Sequence, residues 1–190
     1  LMNIIFAAAS SFSQQTLLAL SELDHKIVAV LTQPDRRSGR GLKRTKNPIK
    51  TTAQNLGLPV LEYESLHDLE AYRKIKKLTP DLLLTMAYGQ LVPNKILQIP
   101  NYDSINVHPS LLPKYKGLHA VEQAMEAGDP VTGCTVHYVN EELDGGEVIM
   151  QSEVPILPED NVKSLTKAIQ RKEYAILPAA IEHVKYQLQK

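Results

Sequence analysis

Lys26-Ile27-Val28-Ala29-Val30-Leu31 carries no polar side chain after its first residue. A strand with one wet face alternates polar and apolar residues, whereas a continuous apolar run implies that both faces are covered. Two further runs read the same way, Asn3–Ala8 (NIIFAA) before it and Asp81–Thr85 (DLLLT) after it. Helical patterns separate them: Ser13–Leu23, Ile49–Leu56 closed by Gly57, and Leu66–Lys77, with a short strand at Pro59–Leu61. A glycine just past the last periodic residue is the usual helix stop. Covered strands joined by helices predict an α/β fold, a doubly wound and mostly parallel sheet. Ligands of such sheets bind outside the carboxyl ends of the strands. Ser104–Val107 is one more strand, and Asn106 and His108 sit at its end.

After about residue 128 the rhythm changes. Gly133–Val139 and Glu147–Val154 flank Asn140–Gly146 and predict an antiparallel pair closing one edge of the sheet. Asn161–Tyr186 predicts one long C-terminal helix, with a break at Pro178. A chain of 190 residues suffices for one α/β domain, so residues 1–190 are read as a single domain.

Lysine and arginine together number 21, as do aspartate and glutamate, and the net charge of +0 argues against a general binder of nucleic acid or anionic membrane. One cysteine, Cys134, excludes an intramolecular disulfide framework and suits a reducing cytosol, so a cytoplasmic protein is expected. Cys134 lies among strand formers and reads as a packing residue rather than a nucleophile. No apolar run approaches the roughly 20 residues of a membrane-spanning helix. The start has no basic leader and reads as a first strand rather than a signal peptide. Charge is nonetheless concentrated. Between Asp35 and Lys50 stand seven basic residues and one acid, with Gly39 and Gly41 inside and Pro34 and Pro48 at the ends. That composition predicts a mobile, solvated loop.

The chemistry is carried by Ile105-Asn106-Val107-His108-Pro109-Ser110-Leu111-Leu112-Pro113 and, about 35 residues on, by Leu143-Asp144-Gly145-Gly146. An amide, an imidazole and a carboxylate arrive on two turns. Residues i and i+2 of a strand point to one side, so Asn106 and His108 can address the same atom. Together the three groups can hold a carbonyl, stabilise the oxyanion that it becomes and manage one proton. Taken singly, His108 before a proline also fits an ordinary loop histidine, and Asp144 fits a turn residue. The other five histidines are too scattered to predict a metal site.

These motifs, in order over roughly residues 3–180, resemble the formyltransferase family that uses 10-formyltetrahydrofolate. The resemblance implies a Rossmann-like formyltransferase fold, 10-formyltetrahydrofolate as co-substrate and no metal. It implies that Asn106, His108 and Asp144 are the catalytic trio: Asn106 donating to the oxyanion, and His108, held by Asp144, stabilising charge and helping to relay the amine proton through water. His119 and His137 are their neighbours rather than ligands. Met86–Pro93 resembles the family's pterin-lining segment, which places Tyr88, Gly89, Gln90, Leu91 and Val92 on the folate, with Tyr138, Val139, Asn140 and Glu141 on the opposite wall. Acceptor binding is expected at Ser10, Ser11 and Phe12 of the first turn and at Arg36, Arg40 and Lys43. The basic segment resembles the insertion that the tRNA-formylating branch places against the tRNA acceptor arm, and phosphate contact supplies the physical reason.

The acceptor amine is read two ways. Thr32–Arg36 and Ala87-Tyr88-Gly89 resemble the branch acting on methionyl-tRNA. His108-Pro109-Ser110, Pro113–His119 and His137–Val139 resemble the branch acting on glycinamide ribonucleotide, as does the length, since tRNA enzymes normally add a C-terminal tRNA-binding domain that this chain lacks. The first turn, Ala7-Ala8-Ala9-Ser10-Ser11-Phe12, has no glycine to let backbone approach a substrate phosphate, which weighs against the purine branch. The tRNA branch's Gly-Thr-Pro is missing there too. Methionyl-tRNA is the preferred acceptor and glycinamide ribonucleotide the alternative. An amino-sugar formyltransferase and a formyltetrahydrofolate hydrolase are more distant readings. The oligomeric state, monomer or weak dimer, is left open.

Overall fold

The computed structural model describes residues 1–38 and 43–187, with backbone alone for 36–38 and 43–45. The chain divides into two compact units, Leu1–Ser104 and Ile105–Lys190.

In the first unit β1 (Asn3–Ala8) lies between β2 (Lys26–Thr32) and β6 (Leu82–Met86), parallel to both, and β2 pairs in parallel with β5 (Val60–Glu62). The strands follow the order β5-β2-β1-β6. Every residue from Ile4 to Ala8 is 0% exposed, which is why β1 is apolar after Asn3 instead of alternating. Helices α1 (Gln14–Ser21), α2 (Pro48–Asn55), α3 (Leu69–Lys77) and the short α4 (Asn94–Leu97) join the strands. The start of α2 is fixed locally. The Asn47 side chain accepts from Ile49 N at 3.0 Å, and Pro48 occupies the first turn, where its missing N–H costs nothing. Asn47 Nδ2 also donates to Thr32 Oγ1 at 2.6 Å and to Gln33 O at 2.7 Å.

The basic segment departs from the expected mobile loop. Strands β3 (Arg36–Ser38) and β4 (Lys43–Thr45) pair antiparallel, Arg36 opposite Thr45 and Ser38 opposite Lys43. Composition pointed to a loop because arginine and lysine weaken a strand pattern, yet the backbone ladder needs no apolar side chain. Arg40 lies outside the described residues.

The second unit begins within β7 (Asp103–His108), which runs antiparallel to β8 (Val131–Tyr138), itself antiparallel to β9 (Val148–Pro155). The expected antiparallel pair is therefore part of a three-strand set. Helix α5 (Ala120–Glu126) and the long α6 (Val162–Gln187) complete the unit. Cys134 packs with Val121, Val154, Leu165 and Ile169. Burial, reinforced by the charge of Glu173, pushes its thiol up to about 12, which agrees with a packing role.

Helix α6 does not break at Pro178. A proline inside a helix costs about 3 kcal/mol. The helix buries Leu165, Ile169, Leu177, Ile181 and Val184 along one stripe, and each buried aliphatic side chain contributes about 1.5–3 kcal/mol. Packing on both sides of the proline thus outweighs the lost hydrogen bond.

Candidate active site

All three residues read from sequence as catalytic lie in the second unit, and the structure brings them together. Asn106 and His108 are on β7, His108 only 6% exposed. Register sets their neighbours: Asn106 is opposite His137 of β8, and His108 opposite Thr135. Cross-strand partners share a face, and Asn106 Nδ2 lies 3.1 Å from His137 Nε2. His137 Nδ1 donates to Tyr138 O at 2.8 Å. Asn106 Nδ2 and Asp144 Oδ1 both face Nε2 of His137, so this ring sets where the amide lies.

Asp144 joins the two imidazoles. Its Oδ2 is 3.4 Å from His108 Nδ1, and its Oδ1 is 3.6 Å from His137 Nε2. The Gly117 N–H donates to Oδ2 at 2.7 Å. Burial pushes this carboxyl up, but hydrogen bonding by His137 and Gly117 and the charge of His108 outweigh burial and hold it below the usual carboxylate range. At neutral pH Asp144 is an anion. The turn that carries it is tight: Asp144 has φ 50°, and a Cβ on Gly146 would collide with the Tyr138 carbonyl. Only glycine fits at 146, which accounts for one glycine of Leu-Asp-Gly-Gly.

His108 Nε2 lies 2.8 Å from Tyr115 O, and a carbonyl can only accept. With an acceptor at each nitrogen the ring is fully satisfied only as imidazolium. That geometry favours stabilisation of negative charge. A proton relay through Nε2 would require the ring to leave Tyr115.

Sequence reasoning placed His137 beside the trio without a role, gave Tyr115 and Gly117 only as part of a family motif, and did not single out Thr135. Thr135 Oγ1 donates to Ser110 O at 2.7 Å and accepts from Leu112 N at 3.1 Å, and so fixes the turn after His108. The available signal was two polar residues, Thr135 and His137, two apart on a strand whose interior is buried throughout. Gly117 and Tyr115 left no such mark, because both act through backbone atoms.

The residues expected on folate fall in both units. In the first, Gln33 Nε2 donates to Tyr88 O at 2.6 Å. It lies so close to Gly89 (φ 80°) that a Cβ there would sit 2.6 Å away. The Tyr88 side chain is buried, its phenol pushed up to about 12 by burial, while Leu91 is 73% exposed. Gln90 Nε2 donates to Tyr63 O, and Val92 is half-buried. In the second unit Tyr138 and Val139 are half-buried, and Asn140 and Glu141 are exposed. The first turn is likewise ordered: Ser10 Oγ accepts from Phe12 N at 3.2 Å, and Ser11 and Phe12 are exposed. Arg36 and Lys43 belong to the β3–β4 ribbon. Among the described residues no group of three or more His, Cys, Asp or Glu is placed to hold a metal ion, and no helix is long and apolar enough to cross a membrane.

Known proteins share this arrangement of sequence. Methionyl-tRNA formyltransferase from Pelotomaculum thermopropionicum is 40% identical over 88% of the chain, and that from Halalkalibacterium halodurans is 39% identical over 95%. The matches cover 54% and 57% of those two proteins, so the chain spans little more than half their length. A solved phosphoribosylglycinamide formyltransferase from Bacillus halodurans superposes with a TM-score of 0.78 at 29% identity, covering 97% of this chain and 94% of that one. The family model for formyl transferases matches residues 2–181, nearly the whole sequence, and the chain belongs to that family.

Proposed function

We propose that this chain transfers a formyl group from 10-formyltetrahydrofolate to a substrate amine. The observation that carries the reading is the Asn106–His108–Asp144 cluster, with His137 orienting the amide and Asp144 ionised beside both imidazoles. Attack of an amine on a formyl carbon turns the carbonyl oxygen into an oxyanion, and donors fixed in advance on such an oxygen contribute most to rate. Asn106 is assigned to that oxygen and His108 to the charge. The same reading assigns folate contacts to Tyr88–Val92 and to Tyr138–Glu141. Gly89 is exposed at φ 80°, and the space where a Cβ would point is taken by Gln33, so the loop's backbone is fixed beside that surface.

Methionyl-tRNA is the preferred acceptor. Relatives about 40% identical carry that activity in their names, and a neutral chain that concentrates seven basic residues in one segment has the charge distribution that a tRNA phosphate backbone rewards. The fold match to glycinamide ribonucleotide enzymes keeps that small amine as the second reading. The chain is incubated with 10-formyltetrahydrofolate and each amine in turn, and products are identified by mass spectrometry. Formylated methionyl-tRNA supports the first reading and formylated glycinamide ribonucleotide the second. Free formate as the sole product would make the protein a hydrolase. A cytoplasmic setting follows from either acceptor.

A further inference from the structure

His108 is held from two directions, and only the Asp144 side belongs to the expected trio. On the other side its Nε2 donates to the Tyr115 carbonyl at 2.8 Å. Tyr115 has φ 55°, in the left-handed region that a bulky residue avoids at a cost of about 1–2 kcal/mol. Something must hold it there. Two contacts do. Ser110 Oγ donates to Lys114 O at 2.6 Å, and Tyr115 Oη donates to Asp129 Oδ2 at 2.7 Å.

Asp129 is itself rigidly placed. It follows the end of α5, where Gly128 (φ 68°) closes the helix: Gly128 N donates to Met125 O at 3.0 Å and Asp129 N to Ala124 O at 3.2 Å. That pair of bonds is the Schellman stop, which fixes the backbone of both residues. Lys114 Nζ lies 3.1 Å from the same Asp129 oxygen that receives Tyr115. The hydrogen bonds from Tyr115 and Lys114 hold the Asp129 carboxyl below its usual range, so it remains a charged acceptor at neutral pH.

We propose that Asp129 is a positioning residue for the formyl-transfer site, which clamps Tyr115 so that its strained carbonyl stays on Nε2 of His108. The clamp runs from the end of α5 through Asp129 Oδ2, Tyr115 Oη and Tyr115 O to the imidazole. Asp129 touches no reacting group and acts only by fixing the ring. The inference rests on the reading of His108 as the charge-stabilising group.

The test uses the variants Asp129→Ala, Asp129→Asn, Tyr115→Phe and the double variant Asp129→Ala/Tyr115→Phe. Two quantities are followed: steady-state formyl transfer, and the proton resonance of the His108 Nε2–H, assigned by its loss in His108→Gln. Misplacing a catalytic group by a fraction of an ångström costs about tenfold or more, so Asp129→Ala and Tyr115→Phe should each lower kcat about tenfold while KM for both substrates moves less than about twofold. The double variant should be no worse than either single one, because both remove the same link. The imidazole resonance should broaden or vanish in Asp129→Ala and persist in Asp129→Asn. The amide of that variant can still accept from the phenol, so it should recover most of the lost turnover. A purely structural role would instead lower Tm and leave the resonance in place. Additive losses in the double variant, or an Asp129→Ala protein with parental kcat and an intact ring signal, would overturn the proposal. If the parent transfers no formyl group, the proposed function fails while the resonance still judges the clamp.

Discussion

Asp144 bridges the two imidazoles of the site. Because the carboxyl is held below its ordinary range, the folded protein binds that proton less readily than the unfolded chain. The group therefore stabilises the fold above the unfolded carboxylate value of about 4, and its contribution fades as pH falls through the lower native value. Asp144→Asn should reduce Tm at neutral pH and converge on the parent in acid, besides depressing turnover. Tm curves offset equally at every pH would reduce Asp144 to a turn residue. Asn106→Ala and His108→Ala should each lower turnover by about a hundredfold or more with little change in folate affinity, since both groups act on charge that exists only in the transition state. Steady-state kinetics with near-normal turnover in either variant would contradict those roles. At this scale the side-chain chemistry was legible: an amide, an imidazole and a carboxylate in sequence order. The backbone partners were not. A carbonyl at Tyr115 or an N–H at Gly117 belongs to every residue, and only the fold says which one faces a histidine.

Among the elements, α6 carries a group the site does not use. Glu173 lies on its buried stripe, 1% exposed, and its Oε2 has no hydrogen-bond partner. Burial raises its carboxyl to about 7. The sign follows from that direction. Below the unfolded value both states hold the proton and the group is neutral in effect; as pH rises toward 7 the unfolded chain ionises first, and stability is lost. The loss approaches the order of 3 kcal/mol once the native carboxyl also ionises. Glu173→Gln should flatten the fall in Tm between about pH 5 and pH 8. An unchanged slope would place the origin elsewhere. The basic segment that includes the β3–β4 ribbon makes a second prediction. Neutralising Arg36, Arg40 and Lys43 together should weaken use of a tRNA acceptor, and the deficit should shrink as salt rises, because fewer counterions are released. Kinetics at low and high salt decide it, and tRNA use unchanged by the triple substitution would remove the ribbon from the acceptor site. Sequence caught the long periodic elements within a few residues. It missed α5, whose N-cap residue His119 sits at φ 60° without a side-chain cap, so the usual start signal is absent. It also missed the ribbon, where charge masked a strand.

For the whole molecule, covered strands were readable because Ile4–Ala8, Ile27–Leu31 and Leu82–Leu84 are unbroken apolar runs, which burial on both faces explains. The long separation between Asn106 and Asp144 was bridged by the resemblance rather than by spacing. The antiparallel pairing of β7 with β8 shows physically how Asn106 meets His137. On the proposed reading the chain moves a formyl group onto an amine using Asn106 and His108. Formyl-labelled 10-formyltetrahydrofolate, mixed in a single turnover with methionyl-tRNA or glycinamide ribonucleotide, tests it most directly when parent and Asn106→Ala are compared. The label should appear on the amine of one acceptor with the parent and should slow by about a hundredfold with the variant. Label left on the folate, or released as formate with both acceptors, would contradict it.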